Sequence, residues 1–206
     1  MNIFFDLDGT LVDSSLRQYK LFTQITNSKL ITYEKYWELK RSGLRTHLII
    51  NKYLKNIDYE KIEFRKKWLK HIEKRSNILE DKLFPDVDLV LKILKQKYTI
   101  YLVTARQKKK LTILQLKRLL IYPFFEKIIC TNRIQKKDQF IKDNGIIPTQ
   151  NDFFVGDSYE DICAGKKMNI NTIAVSYGAS SHVLVNSFDS NYIVNSMKEI
   201  LDILIY

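Results

Sequence analysis

The sequence predicts a parallel α/β sheet covered by helices on both faces, with an all-helical unit inserted after its first strand. Three observations carry this. Asn2-Ile3-Phe4-Phe5 is an apolar run of strand formers, ended by acids and Gly9. From residue 99 onward, short apolar strands alternate with helical patterns, as in a sheet buried on both sides. Between these regions, residues 15–80 contain one glycine and no proline, and their apolar residues recur three and four apart.

Taken in order, Leu16, Tyr19, Leu21, Phe22 and Ile25 predict a first amphipathic helix, and Tyr33, Tyr36, Trp37 and Leu39 a second. Leu44, His47, Leu48, Ile49, Tyr53 and Leu54 predict a third. Ile62, Phe64, Trp68, Leu69, Ile72 and Ile78 predict a fourth. Gly43 marks a turn within this unit. Pro85 closes it, and Asp86 is placed to cap a helix through Val87 to Leu94. Strands follow at 99–103, 127–130, 152–155, 171–175 and, at an edge, 192–194. Helices are expected at 108–120, 136–144 (ended by Gly145), 159–168 and 196–203. The expected division is a core of residues 1–14 and 84–206, with a helical cap at 15–83.

The length suits one core plus a small satellite. Hydrophobic residues make up 45% and charged residues 28%, which excludes a disordered chain. No run approaches the roughly 18 apolar residues of a membrane helix, and no basic region precedes the first apolar run, so a signal peptide is not expected. Cys130 and Cys163 lack metal-binding spacing and read as buried free thiols, consistent with a cytoplasmic location. The net charge is +11, and +9 of it falls within residues 14–84. Most of these lysines read as solvated helix faces, while their summed field suits an anionic substrate.

The chemistry concentrates at strand ends. Asp6 and Asp8 follow the first strand, at the sheet edge where open α/β folds bind ligands. Acids this close repel unless a cation, a shared proton or a loop relieves them. Mg²⁺ beside a phosphate accepts such a pair. Thr104 ends the strand at 99–103; it either caps the next helix or donates to a phosphate oxygen. Arg106 either binds substrate or pairs with a surface acid. Gly156-Asp157-Ser158-Tyr159-Glu160-Asp161 sets two acids four residues apart where a strand turns into a helix.

Asp6-Leu7-Asp8-Gly9-Thr10-Leu11, Thr104, a lysine at 136 or 137 and Gly156-Asp157-x-x-x-Asp161 together resemble, in order, the four motifs of haloacid dehalogenase-like phosphatases. Val175-Ser176-Tyr177-Gly178 and the cap placement resemble phosphoglycolate-phosphatase-like members. The resemblance implies a doubly wound core with a helical cap, and an Mg²⁺-dependent phosphatase acting on a small phosphorylated metabolite such as phosphoglycolate, a sugar phosphate or a nucleotide. It implies Asp6 as nucleophile and Asp8 as acid and base. Metal binding is implied for Asp6, the Asp8 carbonyl and Asp157, with Asp161 either a ligand or a support for Asp157. Thr104, Lys137 and the amides around Leu7 and Asp8 are implied to steady the phosphoryl oxygens. Lys137 matches the lysine motif best, with Lys136 as the alternative. The Gly43-Leu44-Arg45 loop resembles one that closes over substrate, so Gly43 and Arg45 are candidate substrate-binding residues; the other reading of Arg45 is a surface residue in a helix's first turn. Asp8 argues against dehalogenation, and the linker from Val12 to Tyr19 lacks the histidine of related sugar-phosphate mutases. A mutase, or a non-catalytic binding protein using its basic cap for nucleic acid, are the alternatives.

Overall fold

The computed structural model describes residues 1–54 and 61–205, and only the backbone of Lys61 and Ile62. Ile62's side chain, expected on the fourth helix's apolar face, therefore lies outside the described residues.

β1 (Asn2–Phe5) leads into a two-residue strand, β2 (Val12–Asp13). Among the described residues, five helices follow: α1 (Ser15–Thr26), α2 (Tyr33–Arg41), α3 (Thr46–Tyr53), α4 (Lys61–His71) and α5 (Arg75–Ile78). The chain returns through β3 (Lys82–Leu83) to α6 (Val87–Leu94), β4 (Thr99–Thr104), α7 (Lys109–Arg118) and β5 (Lys127–Cys130). Then come α8 (Lys137–Asp143), β6 (Phe153–Gly156), α9 (Tyr159–Lys167), β7 (Asn171–Val175), α10 (His182–Val185), β8 (Tyr192–Val194) and α11 (Glu199–Leu204).

Six strands form a parallel sheet in the order β5-β4-β1-β6-β7-β8. Alternation along β1 serves both faces. Ile3 and Phe5 join the core under α6 and α11, whereas Phe4 packs with Phe154, Val103, Ile141 and Met168 on the other. The helices between β2 and β3 bury a separate cluster that includes Leu21, Phe22, Tyr36, Leu39, Ile50 and Phe64. Entry to and exit from this helical insertion are tied together, because β2 pairs antiparallel with β3, Val12 opposite Leu83 and Asp13 opposite Lys82.

Several local expectations need correction. In α1, Leu16 is exposed and Arg17 is buried instead. Arg17, Leu21 and Ile25 share one helical stripe, and the arginine is buried because acids wait for it there. In α3 the buried residues are Ile49 and Ile50, with Leu54 just beyond; Leu48 and Tyr53 face solvent. The fourth helix breaks between His71 and Arg75 to bring Glu73 inward. Asp86 precedes α6 in a left-handed conformation (φ 63°) and makes no side-chain cap.

Candidate active site

β1 sits between β4 and β6, so Asp6, Thr104 and Asp157 lie at the carboxyl ends of three adjacent strands. The chain builds outward on one side of β1 and then returns to its other side. The β1–β6 edge is therefore the reversal point at which open sheets form ligand crevices.

Asp6, Asp157 and Asp161 are all buried, and one carboxylate oxygen from each lies within 4.8 Å of the others. Lys137, at the first position of α8, bridges two of them. Its ammonium donates to Asp6 Oδ1 and, at 2.6 Å, to Asp161 Oδ1. Lys136, by contrast, is exposed. Asp161 is fixed by a capping box: its Oδ2 accepts from the Ser158 amide (3.1 Å) and hydroxyl (2.6 Å), and Ser158 Oγ accepts from the Asp161 amide. Asp157 Oδ2 accepts from the Ala179 amide at 2.7 Å. The loop after β7 thus closes over the site, and it fits only because Gly178 has no side chain. A Cβ there would lie 2.1 Å from the Gly9 carbonyl oxygen and 2.7 Å from Asp157 Cβ.

These acids outnumber their cation. Burial, against the attraction of Lys137, pushes the Asp6 carboxyl up to about 7. Burial and the neighbouring Asp6 and Asp161 hold Asp157 well above the carboxylate range. Among the described residues this is the one group of metal-ligating side chains, and it is all oxygen. A buried set of acids short of positive charge fits a hard divalent cation.

Asp8 turns elsewhere. Arg106 donates through Nε to its Oδ2 (2.8 Å) and through Nη2 to its Oδ1 (2.7 Å), and Arg17 of α1 also donates to Oδ1. Burial alone would raise the Asp8 carboxyl, but Arg106 and Arg17 outweigh it and hold the group well below the usual range. Behind the arginines stands Asp81, 3.2 Å from Arg17 Nε and 3.5 Å from Arg106 Nη2, with Gln115 donating to it at 2.9 Å. Burial lifts Asp81 to about 6. Arg106 therefore pairs with an acid, as one reading allowed, but with a site acid rather than a surface one.

Thr104 is buried beside Asp6 and lines the same cavity of about 750 Å³. Its hydroxyl accepts from the Arg106 amide at 3.4 Å. Gly43 makes its turn with φ 91°. Arg45 is exposed at the start of α3 and lines neither cavity. From the helical insertion, Lys40 and Arg17 are among the residues that line a second cavity of about 340 Å³, together with Arg133 and Asp8.

Sequence reasoning missed Arg17, Lys40, Glu73, Asp81 and Arg133. Only Arg17 carried a signal, a lone charge on an apolar stripe. Glu73 accepts from the amides of Gln107 (2.9 Å) and Lys108 (2.9 Å) just before α7, binding the helical insertion to the sheet side. Arg41 does the same through Ser176, donating to its carbonyl at 2.7 Å.

The family model for haloacid dehalogenase-like hydrolases matches residues 3–175. The chain belongs to this family. As such it is a hydrolase. The PpaX protein of Clostridium perfringens is 28% identical over 209 residues, spanning 98% of this chain and 95% of the relative. Pyrophosphatase PpaX of Halalkalibacterium halodurans is 25% identical over 215 residues, with the same coverage of 98% and 95%. A predicted phosphoglycolate phosphatase from Haemophilus somnus shares the fold with a TM-score of 0.76 at 21% identity, covering 98% of this chain and 97% of that one. Among the described residues no helix is long and apolar enough to cross a membrane.

A pH dependence follows from the raised acids. Asp6 and Asp81 take up protons on folding wherever the pH lies between their ordinary value, 3.8, and their folded values of about 7 and about 6. Their ionisation in the folded state therefore costs stability as pH rises through those folded values. The metal-free protein is expected to melt several degrees higher at pH 6 than at pH 8 (roughly 2–4 °C per kcal/mol). Asp8, depressed in the fold, contributes stability throughout this window. Calorimetric melting checks it, and a midpoint that falls from pH 8 to pH 6 contradicts it.

Proposed function

We propose that the protein is a Mg²⁺-dependent phosphatase that hydrolyses a small phosphomonoester through an aspartyl phosphate on Asp6. The observation that carries this is the convergence of Asp6, Asp157, Asp161 and Lys137 at one strand-end crevice, with Thr104 beside them. The phosphatase and pyrophosphatase names of the relatives agree with it.

Asp6 and Asp157 would hold the ion with the Asp8 carbonyl, and Asp161 would ligate it or brace the site through Ser158. The ion supplies charge neutralisation that lets a phosphate dianion approach the acids. Asp6 Oδ1 is tied to Lys137, which leaves Oδ2 to attack phosphorus as the bond to the leaving oxygen breaks. Thr104 Oγ1, Lys137 Nζ and the amides of Leu7 and Asp8 donate to the equatorial oxygens, where charge persists through the transfer. Asp8 gives its proton to the leaving oxygen and then takes one from the water that hydrolyses the acyl phosphate, releasing phosphate and restoring Asp6. With both arginines in place Asp8 is a base, which suits the second step. The first step calls for a conformer in which Asp8 has left them, and Arg17 belongs to the helical insertion.

In this reading residues 15–83 act as a mobile cap hinged on the paired β2 and β3. The test is release of inorganic phosphate from p-nitrophenyl phosphate. Turnover is expected with Mg²⁺ and none after chelation. No release under either condition, across a panel of phosphomonoesters, overturns the reading.

A further inference from the structure

The cavity of about 340 Å³ lies between the helical insertion and the sheet edge, and no step of the chemistry above occupies it. Asp8, Arg106 and Arg133 line both it and the larger cavity that holds Asp6 and Asp157. A phosphoryl group on Asp6 would therefore direct its leaving group past Asp8 into this space.

The charges lining it are unequally committed. Arg17 and Arg106 are spent on Asp8 and Asp81, and Glu73 on backbone amides. Among the described residues, Lys40, Arg65 and Arg133 have no ion-pair partner; Arg65 and Arg133 are exposed, and Arg133 is the one that also lines the larger cavity. Lys40 is largely withdrawn from water and feels Asp157 and Arg133, and burial lowers its ammonium below the usual lysine value. Withdrawing an unpaired ammonium from water is costly unless an anion arrives. Arg133 stands in a left-handed conformation (φ 56°) directly after Asn132 in the same state (φ 54°). Consecutive non-glycine residues in that region store strain, and such outliers gather at ligand sites. The same cavity has an aromatic side: Phe64 and Trp68, packed at a tilt of 31° with 5.5 Å between ring centroids, both line it. Its volume falls in the range of organic-ligand sites. Inorganic phosphate or a two-carbon acid would leave the aromatic side uncovered.

We infer that this cavity receives an organic leaving group carrying a second anionic group, a carboxylate or a phosphate, with Lys40 and Arg133 reading the anion and Trp68 and Phe64 the apolar part. The inference rests on the phosphatase reading for its orientation and goes beyond it in naming the substrate class.

The test is calorimetric binding of non-hydrolysable phosphonates in the presence of Mg²⁺. 4-Carboxybenzylphosphonate and para-xylylene bisphosphonate are compared with the neutral 4-carbamoylbenzylphosphonate and with phosphonoacetate. Wild-type protein is expected to prefer the charged benzyl ligands over the carbamoyl one by about tenfold or more, the worth of one charge-assisted contact. Lys40→Gln and Arg133→Gln should each shrink that ratio to within about twofold. Trp68→Ala should weaken the benzyl ligands about fivefold or more while holding phosphonoacetate within about twofold. The tighter of the two charged ligands identifies the second anion. A wild-type ratio near one, a ratio kept in both variants, or no binding of any of the four overturns the inference. Discriminating binding with no phosphate release across the panel of phosphomonoesters would instead overturn the phosphatase reading and leave the anion subsite standing.

Discussion

Asp6→Asn is expected to lower phosphate release by at least about 10⁴-fold, the scale on which removal of a covalent nucleophile acts. The replacement is nearly isosteric. The backbone amide keeps its 2.9 Å bond to the Val155 carbonyl, and the side-chain carbonyl still accepts from Lys137. What disappears is the carboxylate that attacks phosphorus and the negative charge that balances the ion. Folding should not suffer. The wild-type carboxyl is lifted to about 7 by burial, so removing its charge relieves the site above that pH. The metal-free variant is expected to melt no lower than wild type at pH 8. Steady-state phosphate release and a melting curve check both parts. A residual rate above about one hundredth of wild type would remove Asp6 from the role of nucleophile.

Lys137→Met should damage both activity and stability. Methionine retains most of the apolar stem, so the change isolates the charge. Lys137 is the cation shared by Asp6 and Asp161, and its ammonium is held above the usual lysine value: burial lowers it, and the attraction of Asp161 and Asp6 more than offsets this. Deleting one partner of a buried ionic group leaves the others uncompensated and costs about 3–5 kcal/mol. For a chain of this size that is a melting point lower by roughly 10 °C. Turnover should fall about 10²-fold or more, because a donor to the transferring group is lost. Lowering the pH from 8 to 6 should recover part of the stability, since protonating an acid removes the charge that Lys137 had balanced. A variant that melts within about 2 °C of wild type would show that the acids are relieved by something else.

The strand ends were legible because each places its chemistry next to a structural stop. Asp6 follows an apolar run, Thr104 closes β4, and Asp157 follows the only glycine in β6. Their convergence was not legible from spacing. It depends on β1 lying between β4 and β6, a consequence of long-range pairing that a linear pattern does not encode. The resemblance to a family supplied that step. The choice of Lys137 over Lys136 turned on one residue of helix phase, and in the structure it is Lys137 whose ammonium meets Asp6 and Asp161. Arg45 was a candidate anion binder, with a surface arginine as the other reading. It is exposed, whereas Lys40 of α2 and Thr46 and His47 at the start of α3 line the cavity. Residues whose partners lie in another element, such as Arg17 with Asp8 and Asp81, or Glu73 with the amides before α7, declare themselves only when those elements meet.

The proposed site shares one divalent cation among acids from separate strands. The most direct measurement is calorimetric titration of Mg²⁺ into the wild type and into Asp157→Asn. One ion per chain is expected for the wild type, with affinity reduced about tenfold or more by the variant. Absence of binding by the wild type, or equal affinity in the two proteins, would contradict the assignment of Asp157 and with it the reading of the site.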